Sequence, residues 1–454
     1  MRPLVVIDVV GLTPRLLDHM PNLAKLGAPA QLRTVLPAVT CSVQATLLTG
    51  AMPRDHGIVG NGWYFRDVGE VLLWRQHNAL VEGPKIWDDA RKSHPDYRVA
   101  NICWWYAMGA ATEFTVTPRP VYHADGRKSP DCYTTPPSLR NDLTRELGRF
   151  PLFSYWGPKA DITSSQWIVD ASRLVLAREH PDLTLVYVPH LDYDLQRYGS
   201  SGPEAIAAAR QIDTALGPLL DDAAAAGAVT VVLSEYGITD VSRPVDVNRV
   251  LRAEGLLSVY RQAGMEYLDP WTSRAFAVAD HQLAHIYVRD PADIPAVRAL
   301  VESLPGVDEV LDQDGKAEYG LDHSRAGELV AVAAPDSWFT YYYWLDDALA
   351  PDFARGVDIH RKPGYDPAEL FFNPDDPFVK AKAALALARK ELGMRYTMPV
   401  VPLDPSIVRG SHGRLPSDPL DGPVVLSSET LDQQSYAATE VKSLLLRLAG
   451  IGPA

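Results

Sequence analysis

Short β-branched apolar runs alternate along most of the chain with longer stretches whose apolar positions recur at helical spacing. Leu4 to Val10 is the first such run, and Thr184 to Pro189 (TLVYVP) and Val229 to Ser234 (VTVVLS) are two more. Between the last two, Pro203 to Ala226 carries Ile206, Ile212, Leu216 and Leu219 at helical spacing, with Pro203 suited to a first turn and Gly227 to an end. Uninterrupted apolar strands of this length are those of a parallel sheet buried on both faces, and strand, helix, strand is the unit a right-handed crossover needs. The pattern therefore predicts an α/β fold, a mostly parallel central sheet with helices on both faces. Each run also leads to a polar group: Asp8 lies within the first, His190 and Asp192 follow the second, and Glu235 follows the third. Open parallel sheets bind ligands at the carboxyl ends of their strands.

From about residue 263 the texture changes. His285 to Val288 (HIYV), a helical stretch through Ala296 to Ser303, GVDEVL and the run Glu328 to Ala334 read as a small α+β insert. Pro423 to Ser427 (PVVLS) and an amphipathic helix over Ala437 to Leu448 then return to the first texture. The expected organisation is a catalytic core over 1–262, a cap insert over 263–329 and a return to the core over 330–454. Within the first part, 63–159 is rich in Trp, Tyr and Pro. It reads equally as a lid-like insert over a pocket and as irregular packing around the core.

Composition narrows the partners. An apolar content of 46% across 454 residues is enough for a large core. Against 57 acidic residues stand 43 Lys and Arg, a net charge of −14, so a nucleic acid polymer or an anionic membrane is not an expected partner and any phosphate affinity must be local. The cysteines, Cys41, Cys103 and Cys132, have no paired short spacing, which removes a disulfide framework and a cysteine zinc cluster. With an opening, MRPLVVIDVV, too short and too soon acidic for a signal peptide, and no apolar run of membrane-spanning length, a cytoplasmic location is expected.

The segment Pro37 to Gly60, PAVTCSVQATLLTGAMPRDHGIVG, places Thr40 near the start of a helical pattern. A helix N-terminus offers free amide donors to a phosphoryl oxygen, although a threonine there is by itself more simply a cap. Thr40 followed by Thr49-Gly50 and by Pro53-x-x-His56-Gly57 resembles the nucleophile segment of the nucleotide pyrophosphatase/phosphodiesterase branch of the alkaline phosphatase superfamily. That resemblance implies an alkaline-phosphatase-like fold and assigns Thr40 as nucleophile and metal ligand. It also implies further ligands in chain order. Asp8 falls where the family places its first carboxylate ligand. HLDYDLQRYGSSGP is similar to the family's Asp-Tyr-x-x-His-Lys segment, particularly that of phosphonoacetate hydrolases, giving Asp192 with Gln196 in place of the usual His. Glu235 and Tyr236 stand where the family has Asp-His, and His412 in RGSHGR matches its last histidine ligand.

Gln196 and Tyr236 leave the set poor in nitrogen, and oxygen-rich sites select harder cations. The loop Asp358 to Tyr365, DIHRKPGY, offers His360 as a replacement ligand and Lys362 as a phosphate contact, against the plain alternative of a charged surface turn. Val43 occupies a position where many family members have Asn, and Asn61 is a candidate to contact a nonbridging oxygen instead. His281 and His285 in ADHQLAH are four apart, but they run into a strand-like stretch where that spacing is too long for chelation. The resemblance implies two divalent cations, zinc or manganese, the first held by Asp8, Thr40 and Glu235 with Tyr236 as a further candidate. The second falls to Asp192, Gln196 and His412, with His360 as a further candidate. The activity implied is hydrolysis of a small-molecule phosphate ester by a phosphothreonine route. Two alternatives stand beside it: carbon–phosphorus cleavage of a phosphonate or phosphotransfer, and binding of a phosphorylated ligand without turnover.

Overall fold

The computed structural model describes every residue except 125–127, 392–393, 395–397 and 453–454. Among the described residues nine strands form the central sheet. Their order is Ser435–Ala437, Ala30–Arg33, Val424–Ser427, Val229–Leu233, Leu4–Val9, Leu183–Val188, Val99–Ile102, Phe114–Pro118 and Cys132–Thr135. The five from Val229–Leu233 to Phe114–Pro118 run parallel, and Val424–Ser427 and Cys132–Thr135 run antiparallel to their inner neighbours.

Leu4–Val9 occupies the middle of the sheet and all six of its residues are buried. Successive side chains point to opposite faces, so both faces are covered, which accounts for an apolar run broken only by Asp8. The register sets Asp8 opposite Tyr187 on one side and Leu233 on the other. The three strands therefore end level, and the residues that follow them emerge at one edge. Helices Ile162–Glu179 and Pro203–Ala225 pack against each other and against these strands, and Pro203 starts its helix as expected.

Beyond Val229–Leu233 the chain turns sharply under another loop. A Cβ at Gly237 would lie 1.8 Å from the Asp421 carbonyl oxygen, so only glycine lets the Glu235–Tyr236 segment pass there.

Two segments depart from the sequence reading. The stretch 63–159 supplies three strands of the main sheet, Val99–Ile102, Phe114–Pro118 and Cys132–Thr135. Trp63 and Trp104 are buried in core clusters. Trp74, Trp105 and Trp156 of this stretch reach the site described below. The second departure concerns the cap. Its antiparallel sheet, in the order Ala275–Asp280, Leu283–Val288, Leu329–Ala333 and Val307–Leu311, stands on its own apolar core. That core also takes in Val245, Leu251, Phe339 and Tyr341 to Trp344, residues on either side of 263–329. No helix of the described residues is long and apolar enough to cross a membrane.

Candidate active site

The helix Thr40–Thr49 begins after an extended Val39, and its N-cap position carries no side-chain hydrogen bond. Thr40 is thus the first helical residue, not the cap. Its hydroxyl instead shares a 3.0 Å hydrogen bond with the Tyr236 hydroxyl. One turn on, Gln44 donates from Nε2 to Asp8 Oδ2 at 3.0 Å and accepts the Trp105 amide at 2.7 Å. Asn61 accepts the Cys41 amide at 3.0 Å, fixing the backbone beside Thr40.

Asp8 and Glu235 are fully buried side by side. Asp8 Oδ1 and both Glu235 carboxylate oxygens have no hydrogen-bond partner. Burial pushes Asp8 up to about 7, with Glu235 and Gln44 pulling the other way. Glu235 is held well above the usual carboxylate range by burial and then by the charge of Asp8. Two carboxyls this close in a low dielectric do not both ionise unless a positive charge joins them.

Asp192 and Gln196 lie one turn apart on the helix His190–Tyr198, so both face the same way. Asp192 Oδ1 has no hydrogen-bond partner, and burial lifts its carboxyl to about 7 despite the neighbouring Gln196. Across from it, His412 donates from Nδ1 to the Ala38 carbonyl at 2.8 Å; a carbonyl only accepts, so Nδ1 carries the proton. Nε2 is then a bare lone pair, 3.9 Å from Asp192 Oδ1 and without a partner. Burial holds His412 down to about 3, so the ring is neutral.

Four aromatic rings run through the site. Tyr236 lies flat on His412 with centroids 3.6 Å apart, His281 follows at 3.6 Å, and Tyr365 closes the row at 3.6 Å from His281. The far hydroxyl, that of Tyr365, donates to Gln196 Oε1 at 2.9 Å.

Contacts thus join Asp8, Thr40, Asp192, Gln196, Glu235, Tyr236 and His412 in one buried cluster at the carboxyl edge of the three central strands. Asn61 borders it, with its side-chain amide donating to Asp280 at 3.0 Å. Lys362 is buried but paired twice, to Asp366 and to Glu369, each at 2.7 Å. His360 sits against the Leu73 backbone with Arg75, Lys128 and Asp358 as its charged neighbours, and among the described residues no hydrogen bond, ion pair or ring contact joins it to the cluster. His285 is tied into the second sheet between Val59 and Gly327.

Gln44, Asp280, His281 and Tyr365 are site residues that the sequence reading did not assign. Gln44 had a signal in its spacing of four from Thr40. The other three arrive from distant loops.

A cation fits the chemistry of this cluster. Partnerless carboxylate oxygens on Asp8, Glu235 and Asp192 and a partnerless imidazole nitrogen on His412 all crowd one buried volume. Among the described residues no three His, Cys, Asp or Glu side chains form a complete ligand group, so neutral oxygens would have to complete each shell. The neutral oxygens of Thr40 and Tyr236 lie beside Asp8 and Glu235, and Gln196 lies beside Asp192 and His412. Behind Tyr236 lies a cavity of about 280 Å³, bordered also by Gln282, Asp240, Asp336 and Arg414.

The family model for type I phosphodiesterase/nucleotide pyrophosphatase matches residues 4–366. Among solved structures, phosphonoacetate hydrolase from Sinorhizobium meliloti 1021 in complex with phosphonoformate superposes with a TM-score of 0.61 at 17% identity, covering 99% of this chain and 96% of that one. Human ectonucleotide pyrophosphatase/phosphodiesterase 5 gives a TM-score of 0.59 at 15% identity, covering 100% and 96%. The murine protein in complex with AMP gives 0.58 at 13%, with the same coverage. These likenesses show an alkaline-phosphatase-like fold. No curated protein matches the chain significantly by sequence. With four fifths of its length matched by one family model, the chain belongs to the type I phosphodiesterase/nucleotide pyrophosphatase family.

Proposed function

We propose that the chain is a metal-dependent hydrolase of small phosphate esters, with Thr40 as its nucleophile. The observation that carries this reading is the position of the Thr40 hydroxyl, at the start of a helix and next to buried acceptors that lack partners. A divalent cation, when bound by Asp8 and Glu235 or by Asp192 and His412, supplies positive charge that acidifies a hydroxyl and neutralises phosphoryl oxygens. The oxygen-rich donor set favours manganese or magnesium over zinc.

The chain's own groups then have distinct roles. Tyr236 orients the Thr40 oxygen, whose lone pair forms the new bond to phosphorus as the ester oxygen departs. Glu235, adjacent to Thr40, accepts the threonine proton. The departing alkoxide takes a proton from solvent; water then bonds to phosphorus as the phosphorus–Thr40 oxygen bond breaks, the threonine oxygen takes back the proton held by Glu235, and the water's proton passes to solvent. Helix amides at Thr40 and the Asn61 amide are donors for nonbridging oxygens. The ligand is a small phosphate ester or phosphonate, in keeping with the phosphonoformate and AMP bound by the structural neighbours. The three buried free thiols suit a reducing, cytoplasmic compartment.

A second reading is binding without turnover, favoured by one observation: Gln196 Oε1 is already occupied by the Tyr365 hydroxyl. A screen of nitrophenyl phosphate mono- and diesters with manganese, magnesium and zinc separates the two. Turnover that needs metal and disappears in Thr40→Ala supports hydrolysis. Metal-induced stabilisation with no turnover of any ester supports the binder, and phosphate release from phosphonoacetate alone moves the activity to carbon–phosphorus cleavage.

A further inference from the structure

The hairpin Ala275–Asp280/Leu283–Val288 belongs to the second sheet, yet its tip enters the site of the first. Main-chain hydrogen bonds clamp it there. The Gln282 amide donates to the His412 carbonyl at 2.8 Å, the Tyr365 amide to the Ala279 carbonyl at 2.9 Å, and the Phe339 amide to the His281 carbonyl at 2.8 Å. The approach is close: a Cβ on Gly413 would lie 2.9 Å from the Gln282 nitrogen, and one on Gly364 would lie 3.1 Å from the Ala279 oxygen.

The two tip residues reach opposite parts of the cluster. Asp280 accepts the Asn61 main-chain amide at 2.7 Å and its side-chain amide at 3.0 Å. Asn61 in turn holds the Cys41 amide, next to Thr40. His281 inserts its ring between His412 and Tyr365. It does so from a backbone φ of +62°, a left-handed conformation that disfavours non-glycine residues. An ordinary hairpin turn would place glycine or asparagine there. His281 Nδ1 has no hydrogen-bond partner and Nε2 lies 4.0 Å from Asp280 Oδ1, while the faces of the ring meet His412 and Tyr365. The His281 ring is tilted 37° to the His412 ring and 25° to the Tyr365 ring, with centroids 3.6 Å from each.

We propose that the Asp280–His281 tip is a positioning element of the active site: Asp280 sets the start of the Thr40 helix through Asn61, and His281 sets the plane of the His412 ring by sandwiching it against Tyr236. The proposal rests on the reading of Thr40 and His412 as working groups. Neither tip residue touches the reacting atoms. The second sheet is thereby part of the catalytic framework, because it fixes both the nucleophile and the imidazole opposite.

The test compares His281→Asn, which tolerates the left-handed backbone but lacks the ring, with His281→Phe, which keeps a flat ring. With a nitrophenyl phosphodiester, kcat in His281→Asn should fall on the order of 100-fold with KM little changed, and His281→Phe should keep most of the wild-type rate. Asp280→Asn should also lower kcat. Wild-type turnover in His281→Asn or Asp280→Asn overturns the proposal, as does a folded His281→Phe no better than His281→Asn.

Histidine side-chain NMR gives a readout that needs no turnover. The His412 ring signals, shifted upfield by the flanking rings, should move downfield in His281→Asn and stay near the wild-type position in His281→Phe. Unmoved His412 signals in His281→Asn overturn the proposal even if the enzyme is active. A wild type that turns over no ester refutes the functional reading instead and leaves the NMR comparison to decide the role of the tip.

Discussion

The Tyr236 ring lies within 7° of the His412 plane at a centroid distance of 3.6 Å, while its hydroxyl meets Thr40 Oγ1 at 3.0 Å. One side chain therefore spans from the proposed nucleophile to the imidazole that faces Asp192. Tyr236→Phe keeps the stacking and removes only the hydroxyl. Its kcat should fall about tenfold or more, as expected when a group orienting a reacting hydroxyl is lost, while stability changes by about 1 kcal/mol. Steady-state kinetics and thermal melts check this. An unaltered kcat would remove Tyr236 from the alignment of Thr40.

Gln196 and Tyr236 leave both poles of the site dependent on neutral oxygen. Gln196→His with Tyr236→His gives each pole an imidazole. Zinc affinity should then rise about tenfold or more per added donor, roughly 1.4 kcal/mol each, with manganese affinity changing less. Competition with a chromophoric chelator measures it. Equal zinc affinity in the double variant would show that these two side chains do not face a cation.

The buried carboxyls give the metal-free protein a characteristic pH dependence. Asp8 titrates near 3.8 when unfolded and at about 7 when folded. Between those values the unfolded chain is ionised and the folded chain keeps its proton, so this group's stabilisation is full at low pH and is lost as pH climbs toward 7. His412 acts with the opposite sign: lowered from 6.5 to about 3, it removes stability as pH falls below its unfolded value. Asp8→Asn removes this carboxyl and, with it, the charge that raises Glu235. In chelator the variant should exceed wild type in stability at about pH 8 by up to about 4 kcal/mol, and the margin should vanish toward pH 4. Manganese at the higher pH should raise the wild-type Tm more than that of the variant. Urea unfolding across this range is the measurement, and a margin independent of pH would contradict it.

Lys362 faces two carboxylates in a buried triad, with no exposed partner to compensate its loss. Lys362→Met should destabilise the fold by about 3–5 kcal/mol by stranding Asp366 and Glu369. Adding Asp366→Asn and Glu369→Gln should recover most of that loss. A Lys362→Met protein with unchanged stability and a raised KM would instead make Lys362 the phosphate contact that the sequence suggests.

The central strands and the helix from Pro203 were legible because burial on both faces leaves an uninterrupted apolar signature. The short strands Val99–Ile102, Phe114–Pro118 and Cys132–Thr135 were not: asparagine interrupts the first, and threonine, proline and cysteine the other two, and all three fell in the stretch read as a lid-like insert or irregular packing. Within the site, residues that follow core strands or open a helix were visible because the chain around them has a period. Asp280, His281 and Tyr365 come from a hairpin tip and a loop whose placement depends on contacts between segments far apart in sequence. His360 and Lys362 look alike as charges in a polar loop; local sequence does not reveal that Asp366 and Glu369, a few residues on, enclose the lysine.

The level ends of Leu4–Val9, Leu183–Val188 and Val229–Leu233 have a consequence for the range of ions this scaffold can accept. Ladder hydrogen bonds anchor the main chain that carries Asp8, and they fix the strand ends from which the segments bearing Asp192 and Glu235 depart. If the cluster holds a cation as proposed, exchanging a nitrogen donor for an oxygen donor on the neighbouring residues would retune the hardness of the pocket without redrawing the backbone that encloses it.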